Sequence, residues 1–171
     1  MPQTVWFLDV DGVINAIPQQ GEEWKYESFR AKALNGEFLI TFAPELMTFI
    51  RFMHESGIVE VRWLTTWGDE ANTELCERLG LPQFEVAALR NHGDRWWKWV
   101  YLADWADANP DTPFIWTDDD IHYDHTAMSW LDHLEAKEKR PLLSISPETT
   151  VGLTRDHMAQ IARFATAQEI T

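Results

Sequence analysis

Cysteine is nearly missing from this chain. Cys76 stands alone among 171 residues, so no internal disulfide can form and a reducing compartment is favoured. Its place on an apolar helical stripe predicts a core position. Basic residues are scarce too, 14 against 28 acidic ones, for a formal net charge of −14. A surface of that sign repels nucleic-acid backbones and anionic membranes at long range. This excludes extended, sequence-independent polynucleotide binding and leaves room for a single strand end held through a metal. No apolar run is long enough to span a bilayer, and no positively charged leader precedes an apolar segment, so a cytoplasmic protein without a membrane partner is expected. Repeats, low-complexity tracts and linkers are absent as well. One domain over residues 1–171 is the expected organisation, and 45% apolar residues suffice for its core.

Tryptophan, by contrast, is abundant: ten residues, most of which must fill core, with some expected to offer a contact surface to a flat ligand. The most informative stretch is Phe7-Leu8-Asp9-Val10-Asp11-Gly12-Val13-Ile14-Asn15. Val5 to Leu8 read as a strand buried on both faces, which places Asp9 and Asp11 where a parallel sheet opens its carboxyl-end crevice. Residues two apart on an extended segment project to the same side, so the two carboxylates can face one ligand. Anions held that close repel unless a cation lies between them or one is protonated, and Mg²⁺ with hard oxygen ligands suits the first option. Gly12, lacking a Cβ, lets the backbone turn and approach a bound group.

Strand and helix signals alternate along the rest of the chain. Residues 22–42 interrupt the pattern with aromatic and β-branched runs around Asn35-Gly36, predicting a hairpin flap that stands off the sheet. Pro44 opens a helix with Leu46, Phe49, Ile50 and Met53 inward and Gly57 at its end. Ile58 to Leu64 is the second core strand. A loop at Thr65-Thr66-Trp67-Gly68 leads to a helix marked by Ala71, Leu75, Cys76 and Leu79 and closed by Gly80. Phe84 to Leu89 reads as a third strand, and Asp94 as the cap of a helix reaching Ala108. Phe114 to Thr117 is a buried strand ending in Asp118-Asp119-Asp120. A helix near residues 125–138, a fifth strand at Leu142 to Ile145 and a last helix capped by Thr154 complete the pattern. The expected fold is α/β: a Rossmann-like parallel sheet of about five strands, helices on both faces, and a small hairpin flap.

In such a sheet the strand ends point one way, so Asp9, Asp11, Thr65, Thr66 and Asp118 to Asp120 meet in one crevice, with Lys98 entering from a helix. Carboxylates, a hydroxyl and an ammonium fit phosphoryl chemistry. One carboxylate can attack phosphorus, a second can deliver a proton to the leaving oxygen, and a cation with hydroxyl and amide donors can hold the phosphoryl oxygens.

The order Phe-Leu-Asp9-Val-Asp11-Gly-Val, Trp-Leu-Thr65-Thr, Lys98 in a helix, and Phe-Ile-Trp-Thr-Asp118-Asp119 resembles the four motifs of the haloacid dehalogenase superfamily of phosphohydrolases. Trp63 to Asn72 resembles the branch named for Swiss Army Knife RNA repair proteins. The resemblance implies that Asp9 is the nucleophile and Asp11 the general acid and base. It implies that Asp9, the backbone carbonyl of Asp11 and a fourth-motif acid hold Mg²⁺, with Asp118 first and Asp119 second for that acid. Thr65 is then expected to bond the transferring phosphoryl group with help from the Thr66 amide, and Lys98 to balance the charge, with Arg95 as its substitute. The third acid, Asp120, leaves the register of the acid pair open between 118/119 and 119/120. Gly12, Thr66, Trp67 and Trp24 are the substrate-binding candidates.

These readings imply an Mg²⁺-dependent phosphomonoesterase acting through an aspartyl phosphate. Its substrate is a small phosphorylated molecule, a nucleotide or a nucleic-acid terminal phosphate. Two other classes compete. A phospho-acceptor receiver also clusters aspartates with threonine and lysine but places its acceptor on an internal strand of the sequence, and a binding protein on this fold would have lost turnover. His122 and His125 beside Asp118, Asp119, Asp120 and Asp124 raise a zinc or manganese site as the minor metal reading.

Overall fold

Strand β1 (Thr4–Leu8) is buried along its whole length, as an unbroken Val-Trp-Phe-Leu run requires. In the computed structural model, which describes residues 3–33, 35–88, 93 and 95–169, it lies at the centre of a five-stranded sheet. The other strands are β4 (Val59–Trp63), β5 (Glu85–Val86), β6 (Phe114–Thr117) and β7 (Leu142–Ile145), every pairing is parallel, and the order is β5-β4-β1-β6-β7. A parallel sheet needs crossovers, and helices supply them: α1 (Pro44–Glu55), α2 (Cys76–Leu79), α3 (Trp97–Ala108) and α4 (His125–His133), while α5 (Arg155–Glu169) follows the last strand. Alternation along β1 splits the core into two layers. Trp6 and Leu8 join the layer of α1, α2 and α5, where Ile50, Leu75 and Ile161 are buried, while Val5 and Phe7 join that of α3 and α4, around Leu102 and Leu131.

The chain runs outward from β1 through β4 to β5, then returns to the other side of β1 for β6 and β7. Strand order therefore reverses between β1 and β6, and open α/β sheets bind ligands at such a reversal. Asp9 and Asp118 follow immediately after those two strands.

The hairpin is a separate two-stranded sheet of β2 (Glu27–Ala33) and β3 (Gly36–Phe42). Phe29, Ala31, Ile40 and Phe42 bury one face of it, and Phe38 and Leu39 near its tip stay exposed. Pairing starts only at Glu27, later than the expected beginning at residue 22. Trp24 and Tyr26 bond the carbonyls of Leu153 and Val151 instead, at 2.8 and 2.9 Å. Two more elements depart from expectation. The third strand is only two residues long, and it does not begin at Phe84 because both backbone groups of that residue are taken by the Asn72 amide, at 3.0 Å for its N–H and 2.8 Å for its carbonyl. Leu89 and Asp94, expected to end that strand and to cap α3, lie outside the described residues. The helices expected around Ala71 and near 125–138 both contain a π-helical turn, Ala71–Leu75 before α2 and Leu134–Glu138 after α4. The capping expected of Thr154 is present, its hydroxyl accepting from the His157 N–H at 3.3 Å.

Candidate active site

Lys98 is the group on which the site is organised. The first turn of α3 carries it under the sheet's carboxyl edge, where it is 4% exposed. An ammonium buried that far needs charged partners, and it has two: Asp9 Oδ2 at 2.6 Å and Asp118 Oδ2 at 2.7 Å. Burial works against the Lys98 charge, but the two carboxylates outweigh it and hold the ammonium above the ordinary lysine value. Burial raises Asp9 as well, against the pull of Lys98. Burial and then the charge of Asp9 push Asp118 up to about 8. One ammonium is too little positive charge for this cluster. Arg95, the sequence substitute for Lys98, is exposed.

Asp119 completes the cluster. Its Oδ2 accepts from the Thr149 hydroxyl at 2.7 Å, and burial raises its carboxyl too. Gly12 fits here for two reasons. Its φ is 72°, and a Cβ on it would collide with the Asp119 carboxylate. Asp120 is exposed and only its N–H turns inward, to Asp118 Oδ1 at 3.0 Å. Of the two registers left open by the sequence, it is therefore 118/119 that puts both carboxylates into the crevice. Oxygens of Asp9, Asp118 and Asp119 lie within 4.8 Å of one another, and among the described residues no other group of three metal-ligating side chains does so. His122 bonds Ser146 Oγ at 2.7 Å on the surface and His125 is exposed, so neither joins it.

Asp11 is held apart from these carboxylates. Its Oδ1 accepts from Asn15 Nδ2 at 2.8 Å and its Oδ2 from Trp67 Nε1 at 3.0 Å. The turn that presents it closes on the Val10 carbonyl, which accepts from Ile14 and Asn15 at 3.0 and 2.9 Å. Thr65 is fully buried, its hydroxyl near enough to Asp9 to favour the charged carboxylate and accepting from the Trp67 N–H at 3.3 Å. Thr66 is exposed beside Asp11 and Trp67 on a cleft of about 230 Å³ that reaches up to the hairpin tip. Trp24 does not join this set. Its ring is buried, its Nε1 is committed to Leu153, and the Arg155 guanidinium lies 4.2 Å from its centroid. Asn15 and Thr149 are the site residues that sequence reasoning missed. Asn15 lies inside the first motif but looks like any turn asparagine, and Thr149 is 30 residues beyond its partner, in a loop with no motif.

A comparison with known families matches residues 5–158 to the family described as HAD domain in Swiss Army Knife RNA repair proteins. No curated protein and no solved structure matches the chain.

Proposed function

The chain belongs to the HAD domain family of Swiss Army Knife RNA repair proteins, which makes it a HAD-type phosphohydrolase, and from that premise we propose an Mg²⁺-dependent phosphomonoesterase that works through an aspartyl phosphate. Its substrate is a nucleotide or a nucleic-acid terminal phosphate. The observation that carries this reading is the buried Lys98 bridging Asp9 and Asp118, with Asp119 alongside.

Asp9, Asp118 and Asp119 fit a divalent cation. When all three are ionised, as metal ligands must be, three carboxylates against one ammonium leave two negative charges, and hard oxygens are the donors that Mg²⁺ prefers. Bound there, with the Asp11 carbonyl as a further ligand, the cation would neutralise charge on the approaching phosphate. The residues supply the rest. Lys98 and the Thr65 hydroxyl orient the Asp9 carboxylate, one oxygen of which bonds to phosphorus as the bond to the leaving oxygen breaks. Asp11 gives its proton to that oxygen, then takes one from water, which attacks the phosphorus of the aspartyl phosphate, releases phosphate and restores Asp9. The Thr66 amide is a further donor for the phosphoryl oxygens.

Replacement of Asp9 tests this reading. Asp9→Asn keeps the shape and removes the nucleophile, so hydrolysis of phosphomonoesters in Mg²⁺ should fall at least about a thousandfold with the fold intact by circular dichroism. EDTA should stop the parent enzyme reversibly. A loss of less than tenfold in Asp9→Asn, or full turnover in chelator, would overturn the mechanism.

A further inference from the structure

The cleft beside Asp11 has walls from two sources. Asp11, Thr66 and Trp67 come from the loops at the sheet's edge, and Ala33, Asn35 and Phe38 come from the tip of the hairpin. A substrate phosphate placed against Asp9 puts its leaving group on the side of the general acid, and Asp11 is one of the walls of this cleft. Its chemistry is unlike that of the phosphate site. Among the described residues that line it, Asp11 is the one charged side chain, and no lysine, arginine or histidine is in that lining. An anionic leaving group would find no counter-charge among the described lining residues and an acidic protein around it.

What the cleft offers instead is aromatic surface and free polar edges. The Phe38 ring is 44% exposed although it packs edge-on to Trp67, 5.8 Å between centroids at 72°. Leu39, its neighbour on β3, points to the opposite face by strand alternation and is not part of the lining. Trp67 is buried with its N–H committed to Asp11, so it backs the acid and leaves Phe38 as the ring with surface to offer. Asn35 and Thr66 are exposed, and no described side chain engages either one. A carboxamide presents a donor and an acceptor side by side, the pattern that pairs with the edge of a heterocycle. At about 230 Å³ the space is below the usual range for a drug-sized ligand and suits one ring system with its sugar.

We propose that this cleft is the leaving-group site, and that it selects phosphomonoesters of an uncharged, planar heterocycle-bearing alcohol, a nucleoside, over those whose leaving group carries further phosphate. The proposal rests on the phosphomonoesterase reading above and adds what that site recognises. Phe38 supplies the face or edge on which the ring packs, Asn35 and Thr66 meet its polar edge, and the hairpin tip sets the size of the group admitted.

The test is a comparison of kcat/KM in Mg²⁺ for a nucleoside 5′-monophosphate, the matching nucleoside 5′-diphosphate and ribose 5-phosphate. The monophosphate should lead both others by roughly tenfold or more, the range that stacking of one base supplies. Phe38→Ala should collapse the ratio of nucleoside monophosphate to ribose 5-phosphate, chiefly through KM, and Leu39→Ala on the outer face should leave that ratio where it is. The free nucleoside should inhibit p-nitrophenyl phosphate hydrolysis competitively, and ribose should not. Equal kcat/KM for all three substrates, a preference for the diphosphate, or a Phe38→Ala ratio within twofold of the parent would overturn the cleft assignment while the hydrolase reading stands. Failure to hydrolyse any phosphomonoester would instead remove the reading beneath it, and the cleft assignment with it.

Discussion

At the scale of single residues, Asp9 and Asp11 are separated by what holds them. Asp9 is buried, which raises its carboxyl, and it is held by the Lys98 ammonium at 2.6 Å, which favours its charged form. Among the described residues no cation pairs with Asp11; an amide N–H and an indole N–H hold its two oxygens beside the cleft. The first environment suits a nucleophile and the second a group that exchanges protons with what the cleft contains. Asp11→Asn should therefore lose at least about a hundredfold on a nucleotide, whose alkoxide needs a proton, and much less in the first turnover of p-nitrophenyl phosphate, whose phenolate leaves without one. A pre-steady-state burst of nitrophenol followed by a slow phase is expected, because the water that clears the aspartyl phosphate has lost its base. Equal losses on both substrates, burst included, would move the general acid elsewhere.

At the scale of elements, the hairpin and the Asp11 loop are one unit, and Asn15 joins them. The Thr41 N–H of β3 can only donate, so the Asn15 oxygen must face it, at 2.8 Å, and the amide nitrogen must then face Asp11. The Thr41 carbonyl returns a second bond, accepting from the Ala16 N–H at 2.9 Å. Asn15→Ala should cost about 1–3 kcal/mol in unfolding free energy by leaving the enclosed partners unpaired. Asn15→Asp still accepts from Thr41 but sets a carboxylate against Asp11, so its damage should fall on kcat for nucleotides more than on stability. Denaturant melts beside kinetics on nucleotide and nitrophenyl substrates would show this, and a kcat unchanged in both variants would make Asn15 a purely structural bolt. None of this coupling is legible in the sequence, where Asn15 is one polar residue in a turn. Core strands and the acid pairs at their ends are legible, because a buried parallel strand must be continuously apolar and its end must be polar. The short β5 is not, since the pairing of Phe84 is lost to the Asn72 side chain, nor are the π turns at Ala71–Leu75 and Leu134–Glu138, which leave the apolar stripe nearly unchanged. Thr149 is invisible for a related reason: its partner Asp119 is fixed by the return of a loop, and loop closure leaves no periodicity.

At the scale of the whole molecule, a chain of net charge −14 gathers three buried carboxylates in one crevice, and among the described residues a single ammonium bonds there. Without metal, this arrangement makes stability depend on pH in a direction that can be worked out. Asp118 in the folded protein titrates at about 8, raised by burial and by Asp9, against an ordinary value of 3.8. Its folded pKa lies above its unfolded one, so the folded state binds this proton more tightly. The associated stability is fully present below about pH 4 and is lost as pH rises through about 8. Chelated protein should accordingly melt lower at pH 8 than at pH 5.5. Mg²⁺ offsets the charge that the lost proton leaves behind, so its stabilising effect should be larger at pH 8 than at pH 5.5. General repulsion among the other acids also grows with pH, and Asp118→Asn separates the two effects. In that variant the chelated melting temperature should fall less between the two pH values than in the parent. A parent and an Asp118→Asn variant with the same pH dependence in chelator, or an Mg²⁺ shift that does not grow with pH, would show that the crevice is not where the molecule's charge imbalance is concentrated.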